Sequence, residues 1–524
     1  MALLTLTLGQ VLAVGLTTLL LYTISYLLYN VFLHPLRAYP GPLIMRATRW
    51  DHSIRHMRGT LPFDVLALHK RYGPVVRIAP DELAFADPRA WKDIMGHKGG
   101  GGNNAGHEED MLKYDKFYRP VESVPRDIVN AGREEHALLR RTMAHGFSDR
   151  SMREQQPLIQ GYIDLLIRRL RENSGDGGHK VDMAAWYNYT TFDVIGDLAF
   201  GESFGCLDNS DYHPWVKAIF EVARAGTVFQ CLAHYPVVVK LMLALIPSSF
   251  KEEREKHMQM TLEKLKRRME AGKERADLVE GLLKRADEWG LTLENLQANS
   301  AILIIGGSET TATLLSGVTY LLLTNPEAMK KLTREIRGAF QSEEEIDFPS
   351  VSTLPYLLAC LDEALRMYPP VPTGLPRVVP RGGANIAGSY VPEKTVVAVH
   401  QWAMYHNDAH FKDPFVYHPE RWLGDPAFVD DHKDAFQPFH LGPRNCIGKN
   451  LAYIEMRLIL ARVLWNFDLR IAEDSLDWMG RQRVFNLWEK GRLHAYLTPA
   501  ARQWRGRGSA RRKIRYIDPR AIRH

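Results

Sequence analysis

Cysteine is scarce in this chain, with four residues among 524. Cys206, Cys231, Cys360 and Cys446 lie far apart, and no two of them form a Cys-x-x-Cys pair. This spacing argues against a zinc-binding framework or a disulfide scaffold, and it indicates a reducing compartment. Each cysteine is therefore considered as a single thiol, either buried in a core or used in chemistry.

Charged side chains are missing from the N-terminal segment until Arg37. Within that segment, Val11–Leu33 is rich in Leu, Val, Thr and Tyr and is long enough to span a bilayer as a helix. The basic region that begins a secretory signal is also missing. The sequence therefore predicts a membrane anchor over residues 1–34, with a buried or cleaved apolar helix as the alternative. The arginines that follow, Arg37 and Arg46 first, predict that the bulk of the chain faces the cytosol, and the endoplasmic reticulum is the expected membrane.

The sequence offers no extended basic face of the kind that binds nucleic acid. The formal net charge is +6, but residues 502–524 alone contain eight Arg and one Lys against one Asp. We predict a solvated, disordered tail there, with contact to anionic lipid or an acidic partner as the alternative. No linker composition interrupts residues 35–501, which predicts one large catalytic domain.

Hydrophobic periodicity predicts a mainly helical α+β domain with small β-sheets. The predicted helices span 133–147, 152–172, 184–200, 214–225, 251–273, 293–323, 326–341, 355–368 and 449–464. The predicted strands lie at 75–78, 385–386, 395–399, 467–471 and 494–497. A Gly-, Asn- and His-rich stretch at 96–108 predicts a long loop.

Cys446 is the thiol with the most informative surroundings. Phe439, Gly442 and Arg444 precede it, Gly448 follows, and an apolar helix begins directly afterwards. The start of a helix favours negative charge, and glycines let the backbone approach a flat ligand closely. A thiolate held in this way indicates a haem site with a proximal cysteine. A structural buried cysteine and a cysteine nucleophile with a distant histidine remain alternatives at this point.

The long predicted helix at 293–323 contains the run Gly306-Gly307-Ser308-Glu309-Thr310-Thr311. Glycines inside a helix each cost roughly 1 kcal/mol, so their presence favours a functional reason. A local opening with room for a ligand and a water is one interpretation. A packing notch where another helix crosses is the other.

A third motif is Glu363-x-x-Arg366, with a further arginine, Arg421, downstream. A carboxylate and a guanidinium at i and i+3 share one face of a helix. Taken alone, the pattern is common on solvated helices and is a weak signal.

Together these motifs, in this order, resemble the cytochrome P450 superfamily of haem-thiolate monooxygenases over about residues 30–500. The resemblance implies the P450 fold, with Cys446 as the axial ligand of iron in haem b. Two further stretches, 34–42 (His-Pro-Leu-Arg-Ala-Tyr-Pro-Gly-Pro) and 145–148 (His-Gly-Phe-Ser), look like fungal members of secondary-metabolite pathways.

The resemblance also implies roles for individual residues. Thr310 would hydrogen-bond dioxygen and Glu309 would relay protons, although most family members have Asp at the acid position. Glu363, Arg366 and Arg421 would form a buried structural network. The residues expected around the haem are Arg140, His136, Arg377, Arg444, Phe439, Gly442 and Gly448. Those expected in the substrate pocket are Ile302, Ile305, Gly306, Thr373, Gly374, Leu375 and Phe485.

The implied reaction inserts one oxygen atom from O2 into a lipophilic small molecule, as a hydroxylation or epoxidation of a fungal terpenoid or polyketide. Since the sequence has no P-loop and no flavin or NAD fingerprint in a strand–turn–helix setting, electrons must come from another protein. The resemblance implies an NADPH-dependent diflavin reductase, with cytochrome b5 as a second donor. The alternatives are a haem-thiolate isomerase, dehydratase or oxidative-coupling enzyme, a non-enzymatic haem sensor, and a cysteine hydrolase without haem.

Overall fold

A computed structural model of the chain describes residues 7–97, 111–121, 124–212, 214–245, 259, 262–270 and 277–501. Three predicted features lie wholly or largely outside these residues: the loop at 96–108, the helix at 251–273 and the tail at 502–524. The division of the chain at residues 34 and 501 therefore stays a prediction.

The described part of the chain is predominantly helical. The helices are α1 Leu8–Leu28, α2 Leu43–Ala47, α3 Trp50–Met57, α4 Leu61–Tyr72, α5 Arg89–Met95, α6 Asp115–Tyr118, α7 Arg133–Met143, α8 Asp149–Ser174, α9 Met183–Phe200, α10 Cys206–Asn209, α11 Pro214–Leu232, α12 Pro236–Leu245, α13 Glu280–Arg285, α14 Leu293–Thr324, α15 Pro326–Ala339, α16 Phe348–Val351, α17 Pro355–Met367, α18 Gln401–Tyr405 and α19 Lys449–Asn466. The helix-rich fold with small sheets is confirmed.

In the described part of the chain the strands form four small sheets. Their bounds are β1 Val75–Ala79, β2 Glu82–Phe85, β3 Leu112–Lys113, β4 Lys180–Asp182, β5 Arg377–Val378, β6 Ala384–Ile386, β7 Ser389–Val391, β8 Val396–Val399, β9 Phe467–Ile471, β10 Arg483–Phe485, β11 Leu487–Glu489 and β12 His494–Pro499. The largest sheet has the order β1-β2-β8-β5-β3, in which β2 and β8 run parallel. A second has the order β4-β12-β9, and β6-β7 and β10-β11 are two-stranded.

The centre of the domain is the long helix α14. It packs most extensively against α9 and also touches α17 and α19. Most of α14 is apolar and buried, as expected of a core helix, but the side that carries Gly306 is open. Its glycines differ in surroundings: a Cβ built at Gly307 would lie 2.7 Å from Ile195 of α9, whereas one at Gly306 would meet nothing within 4 Å. Gly307 is therefore a packing notch, and Gly306 borders open space.

Two of the described helical segments are long and apolar enough to cross a membrane. One is Leu8–Leu33, whose apolar 18-residue window contains no buried residue, and the other is Leu293–Thr324, whose window is 67% buried. The second segment is α14, the core helix. The first segment consists of α1 and a π-helical turn at Tyr29–Leu33, and it begins three residues before the predicted span. Its length and composition fit a membrane anchor.

The end of the anchor helix is held against the domain. Asn30 is buried, and its Nδ2 donates to the carbonyl of Ala47 over 2.9 Å. The Arg46 guanidinium donates to the carbonyls of Val31 and Arg37 over 3.3 and 3.1 Å. The bond to Val31 caps one of the last carbonyls of the helix, and the bond from Asn30 ties the end of the helix to the residues that follow it.

Most predicted helices lie where the structure has them, and the differences are local. The helix predicted at 133–147 ends at Met143 and continues as a 3-10 turn over Ala144–Phe147. The one predicted to end at residue 225 runs on to Leu232. No sequence pattern predicted the β10-β11 hairpin, whose strands are only three residues each.

Candidate active site

The loop before α19 is folded around Cys446. The backbone N–H of Cys446 donates to the carbonyl of Phe439 over 2.9 Å, and that of Asn445 donates to Gly442 over 3.1 Å. Gly442 has a φ of 78°. A Cβ built there would lie 1.9 Å from the backbone oxygen of Met95 at the end of α5. Only glycine allows this close approach, so Gly442 fixes the loop against α5.

The Cys446 sulfur lies in a hollow, surrounded by protein but accessible to solvent. Burial raises the pKa of the thiol, and the Gly448 N–H and the charges of Arg140 and Lys449 act in the opposite direction. Because burial prevails, the thiolate requires a further cation, as a bound metal would provide. Helix α19 begins at Lys449, so its positive end faces the sulfur.

Arg140 of α7 binds the loop that carries Cys446. Its guanidinium donates to both the backbone carbonyl and the side-chain oxygen of Asn445. Sequence reasoning expected Arg140 to bind a haem propionate, and that role stays a prediction. The observed bonds place the charge of Arg140 beside Cys446.

A group of cations gathers near the Cys446 loop. Strand β3 pairs with β5 in a register that sets Lys113 opposite Arg377. Burial first, and then the charges of Arg377 and Arg444, hold the pKa of Lys113 well below its usual range, while Asp127 offsets this in part. No sequence pattern points to Lys113, because its strand has two residues and carries no periodic signal.

Arg444 and His136, both predicted around the haem, belong to the same group. Arg444 donates to the carbonyl of Ala131 over 3.0 Å. Burial lowers the pKa of His136 to about 3, helped by the charges of Arg444, Lys113, Arg140 and Arg377. Clustered positive charge of this kind is costly unless an anion is present, so the group suits a ligand with carboxylates.

On α14, the two members of the predicted acid–threonine pair point to different neighbours. Thr310 is partly exposed, and its hydroxyl donates to the carbonyl of Gly306 over 2.7 Å. Glu309 is buried, and its Oε1 accepts from Lys490 Nζ and, over 3.2 Å, from the Thr313 hydroxyl. The Glu309 Oε2 has no hydrogen-bond partner among the described residues. The structure therefore does not bring the Glu309 carboxylate to Thr310.

Lys490 follows the β10-β11 hairpin, and the sequence analysis did not identify it. Burial lowers the pKa of Lys490, and the neighbouring Glu309 opposes that shift. In the sequence, Lys490 is a single lysine at the end of the stretch Leu487-Trp488-Glu489-Lys490. A hairpin this short does not predict which residues its side chains contact.

The structure brings Glu363, Arg366 and Arg421 together in a fully buried network. Arg366 donates two bonds to the Glu363 carboxylate, over 2.7 and 3.0 Å. Arg421 lies 3.3 Å from the same carboxylate and also pairs with Asp431. The Trp422 indole N–H donates to Glu363 over 2.9 Å. Each oxygen of Glu363 is thus bonded by donors from several elements.

The residues predicted for the substrate pocket divide into three groups. Thr373 and Gly374 line one cavity with His400, and Leu375 is partly buried beside them. Phe485 is buried under the Arg224 guanidinium, 5.2 Å from its ring centre. Ile302, Ile305 and Gly306 lie on α14, and none of them lines that cavity.

The Cys446 loop and the cations beside it fit one class of protein: a haem protein in which a cysteine sulfur would bind the iron. The family model described as "Cytochrome P450" matches residues 41–490. The chain is 44% identical to cytochrome P450 monooxygenase prhB of Penicillium brasilianum, over 92% of this chain and 97% of that protein.

It is 43% identical to averantin hydroxylase of Dothistroma septosporum, covering 94% and 92% of the two chains. It is 42% identical to trichothecene C-15 hydroxylase of Fusarium sporotrichioides, covering 92% and 96%. The chain belongs to the cytochrome P450 family, and it is a monooxygenase of the kind found in fungal secondary metabolism.

The residues present fit a haem. Cys446 offers one accessible sulfur at the start of a helix, and Gly442 keeps the loop compact beside it. Arg377 and Arg444 carry positive charge there, and the two propionates that a haem carries would favour the charged form of Lys113 as well. Lys113 therefore joins the residues that would hold the cofactor.

Proposed function

We propose that this monooxygenase inserts one atom of O2 into an uncharged, lipophilic secondary metabolite, a fungal terpenoid or polyketide. The observation that carries the proposal is the accessible Cys446 sulfur, with the start of α19, Arg140 and Lys449 around it. When bound, the haem supplies the chemistry of O2 activation, assisted by electron donation from the thiolate. The reaction consumes two electrons and two protons and releases the second oxygen atom as water.

Thr310 and Glu309 manage the protons in this proposal. The Thr310 hydroxyl donates to Gly306, so its oxygen stays able to accept a hydrogen bond on the side of open space. Glu309 Oε1 is bound to Lys490, and its Oε2 is the oxygen available to carry a proton. Both groups suit oxygen insertion, since an isomerase or a sensor would need no proton relay.

Electrons come from an NADPH-dependent diflavin reductase, with cytochrome b5 as a second donor. Arg141 and Lys449 are exposed, and the charges of Lys449 and Arg140 act on Cys446. A basic surface there favours docking of an acidic partner. The apolar helix Leu8–Leu33 supports a location in the endoplasmic reticulum membrane, and the arginines that follow it favour a domain on the cytosolic side.

The first test is the carbon monoxide difference spectrum of the reduced, full-length protein. We expect the strongly red-shifted Soret band of a thiolate-ligated haem, and Cys446→Ala should abolish it. Cys360→Ala is the matched control, since Cys360 is fully buried among apolar residues and should leave the band in place. A folded wild-type protein without the band contradicts the proposal.

The second test addresses the reaction. Membranes containing the protein and its reductase are incubated with NADPH, 18O2 and lipophilic fungal extracts. Products heavier by one 18O atom, formed only with NADPH, are expected by mass spectrometry. Conversion without incorporation of label would instead support an isomerase or a dehydratase.

A further inference from the structure

A second polar feature lies apart from the Cys446 loop, between α3, the end of α11 and the start of α18. It is a narrow cavity of about 50 Å³, and most of its accessible wall is apolar. Ser53, Cys231, Thr373, Gly374 and His400 are among the residues that line it. Thr373 and Gly374 are also residues predicted for the substrate pocket, so the cavity adjoins the segment expected to face the substrate.

Three buried polar atoms that belong to residues lining this cavity have no hydrogen-bond partner among the described residues. They are Ser53 Oγ, Thr373 Oγ1 and His400 Nε2. Their residues are 2%, 3% and 3% exposed. An unpaired buried polar group costs free energy, and three such groups on one cavity are unusual in a native protein. They indicate that the cavity takes a ligand with polar atoms.

The geometry around His400 determines which of its nitrogens carries hydrogen. The backbone N–H of Gly374 donates to His400 Nδ1 over 3.1 Å, so Nδ1 is an acceptor. Burial lowers the pKa of His400 to about 3, which keeps the ring neutral. The hydrogen therefore lies on Nε2, the atom without a partner, and His400 offers one donor to a ligand oxygen.

The charges on the wall of the cavity are internally balanced. Arg49 pairs with both Asp81 and Glu82, the latter at 2.5 Å. Burial lowers the pKa of His56 to about 4, so that ring is neutral as well. Lys116 is exposed. A charged ligand would lose its hydration without gaining a buried counter-ion, whereas an uncharged oxygen function would find hydrogen bonds.

We propose that this cavity is a specificity subsite that binds a hydroxyl or carbonyl group of an uncharged, otherwise apolar substrate. His400 donates to the ligand oxygen, and the hydroxyls of Ser53 and Thr373 donate or accept. The inference rests on the proposed function, since it assumes that the substrate reaches Thr373 and Gly374. It narrows the substrate class to molecules that already carry oxygen before this enzyme acts, so that an earlier oxidation or an oxygen-retaining cyclisation must supply them.

The test uses the full-length, haem-loaded protein in detergent and three rigid probes of similar size. They are 1-adamantanol, 1-adamantanecarboxylate and 1-aminoadamantane, which are neutral, anionic and cationic at pH 7.5. Isothermal titration calorimetry should show that the alcohol binds about tenfold more tightly than either charged probe, a difference of roughly 1.4 kcal/mol. Equal affinity for the carboxylate, or no binding of the alcohol, overturns the proposal.

Two variants locate the binding at this cavity. Thr373→Val keeps the shape and removes the hydroxyl, and His400→Phe removes the donor. Each should weaken binding of the alcohol by about three- to tenfold, as expected for one lost hydrogen bond. His406→Phe is the matched control: His406 is buried and stacked on Trp402, and it does not line the cavity.

Unchanged affinity for the alcohol in both variants overturns the inference, because the cavity groups would then be bonded to internal water alone. Should His400→Phe fail to fold, Thr373→Val decides the outcome by itself. The carbon monoxide spectrum is recorded on the same samples. A missing Soret band refutes the proposed function, whereas a normal band with no selectivity for the alcohol refutes only the subsite.

Discussion

Two buried carboxylates on neighbouring helices of this protein are held in opposite ways. Glu363 on α17 is fully buried and receives donors from Arg366, Arg421 and Trp422. Glu309 on α14 is equally buried but pairs with one cation, Lys490, and leaves Oε2 without a partner among the described residues. A carboxylate bonded at every oxygen is immobile, whereas one bonded at a single oxygen can change its partner. The first arrangement suits a structural lock, and the second suits a proton carrier.

The largest loss of stability is expected when the buried network of Glu363, Arg366 and Arg421 is broken. Replacing Glu363 with alanine leaves Arg366 and Arg421 buried without their shared anion, which should cost about 3–5 kcal/mol of stability. Urea unfolding and the yield of haem-loaded protein measure this loss. Glu420→Ala is the control, because Glu420 is partly exposed and pairs with Lys331, which should be worth less than about 1 kcal/mol. Similar losses in the two variants would show that the buried network is not a lock.

Breaking the Lys490–Glu309 pair should cost less stability, because the pair has only two charges and each of them can be removed by a neutral replacement. Lys490→Met leaves a buried carboxylate unpaired, and we expect it to be destabilising, with part of the loss recovered in the double variant with Glu309→Gln. A double-mutant cycle measures the coupling, expected within about 0.5–3 kcal/mol. Strictly additive losses would mean that the Lys490–Glu309 contact contributes nothing beyond its parts.

This contrast also shows what the sequence could predict. Glu363 and Arg366 share one helix face at a fixed spacing, and Cys446 stands in a loop whose glycines have specific conformations. Local sequence patterns therefore predicted both sites. Lys490 and His400 follow short strands in a separate part of the chain, and tertiary packing alone brings them to Glu309 and Gly374. The helices were predictable for the same reason: their periodicity is local, whereas a strand of two or three residues has none.

A third buried carboxylate, Glu455 on α19, has no ion pair in the described part of the chain. Burial raises its pKa from 4.5 to about 8, although the Thr311 hydroxyl opposes the shift. The folded state therefore holds a proton that the unfolded state loses above about pH 4.5. Its contribution to stability is fully present below that pH and is lost as the pH rises through about 8.

Glu455→Gln removes this dependence, since an amide stays neutral at every pH. The stability of the variant relative to wild type should increase from pH 5 to pH 8, by at most about 1.4 kcal/mol per pH unit. Urea unfolding at a series of pH values measures the difference. Parallel pH profiles for the two proteins would show that Glu455 ionises in the folded state as it does in the unfolded one.

The smallest effect on stability, with the most specific effect on function, is expected at Thr310. Its hydroxyl makes one bond, to the carbonyl four residues earlier, which already accepts within the helix. Thr310→Ala should therefore change stability by less than about 0.5 kcal/mol. Thr324→Ala is the matched control on the same helix, because Thr324 makes the equivalent bond to Tyr320 over 2.9 Å.

The two threonine variants should differ in how they use electrons. If Thr310 passes protons from the side of Glu309, its loss should raise the share of NADPH consumed without product and released as hydrogen peroxide. Thr324→Ala should keep the wild-type ratio of product to NADPH. Both variants lose a hydrogen bond to the carbonyl four residues earlier. A difference in the ratio of product to NADPH can therefore be assigned to the Thr310 hydroxyl, which faces open space beside Gly306. Equal coupling in the two would place proton delivery elsewhere and leave Glu309 and Lys490 as a structural pair, like the lock at Glu363.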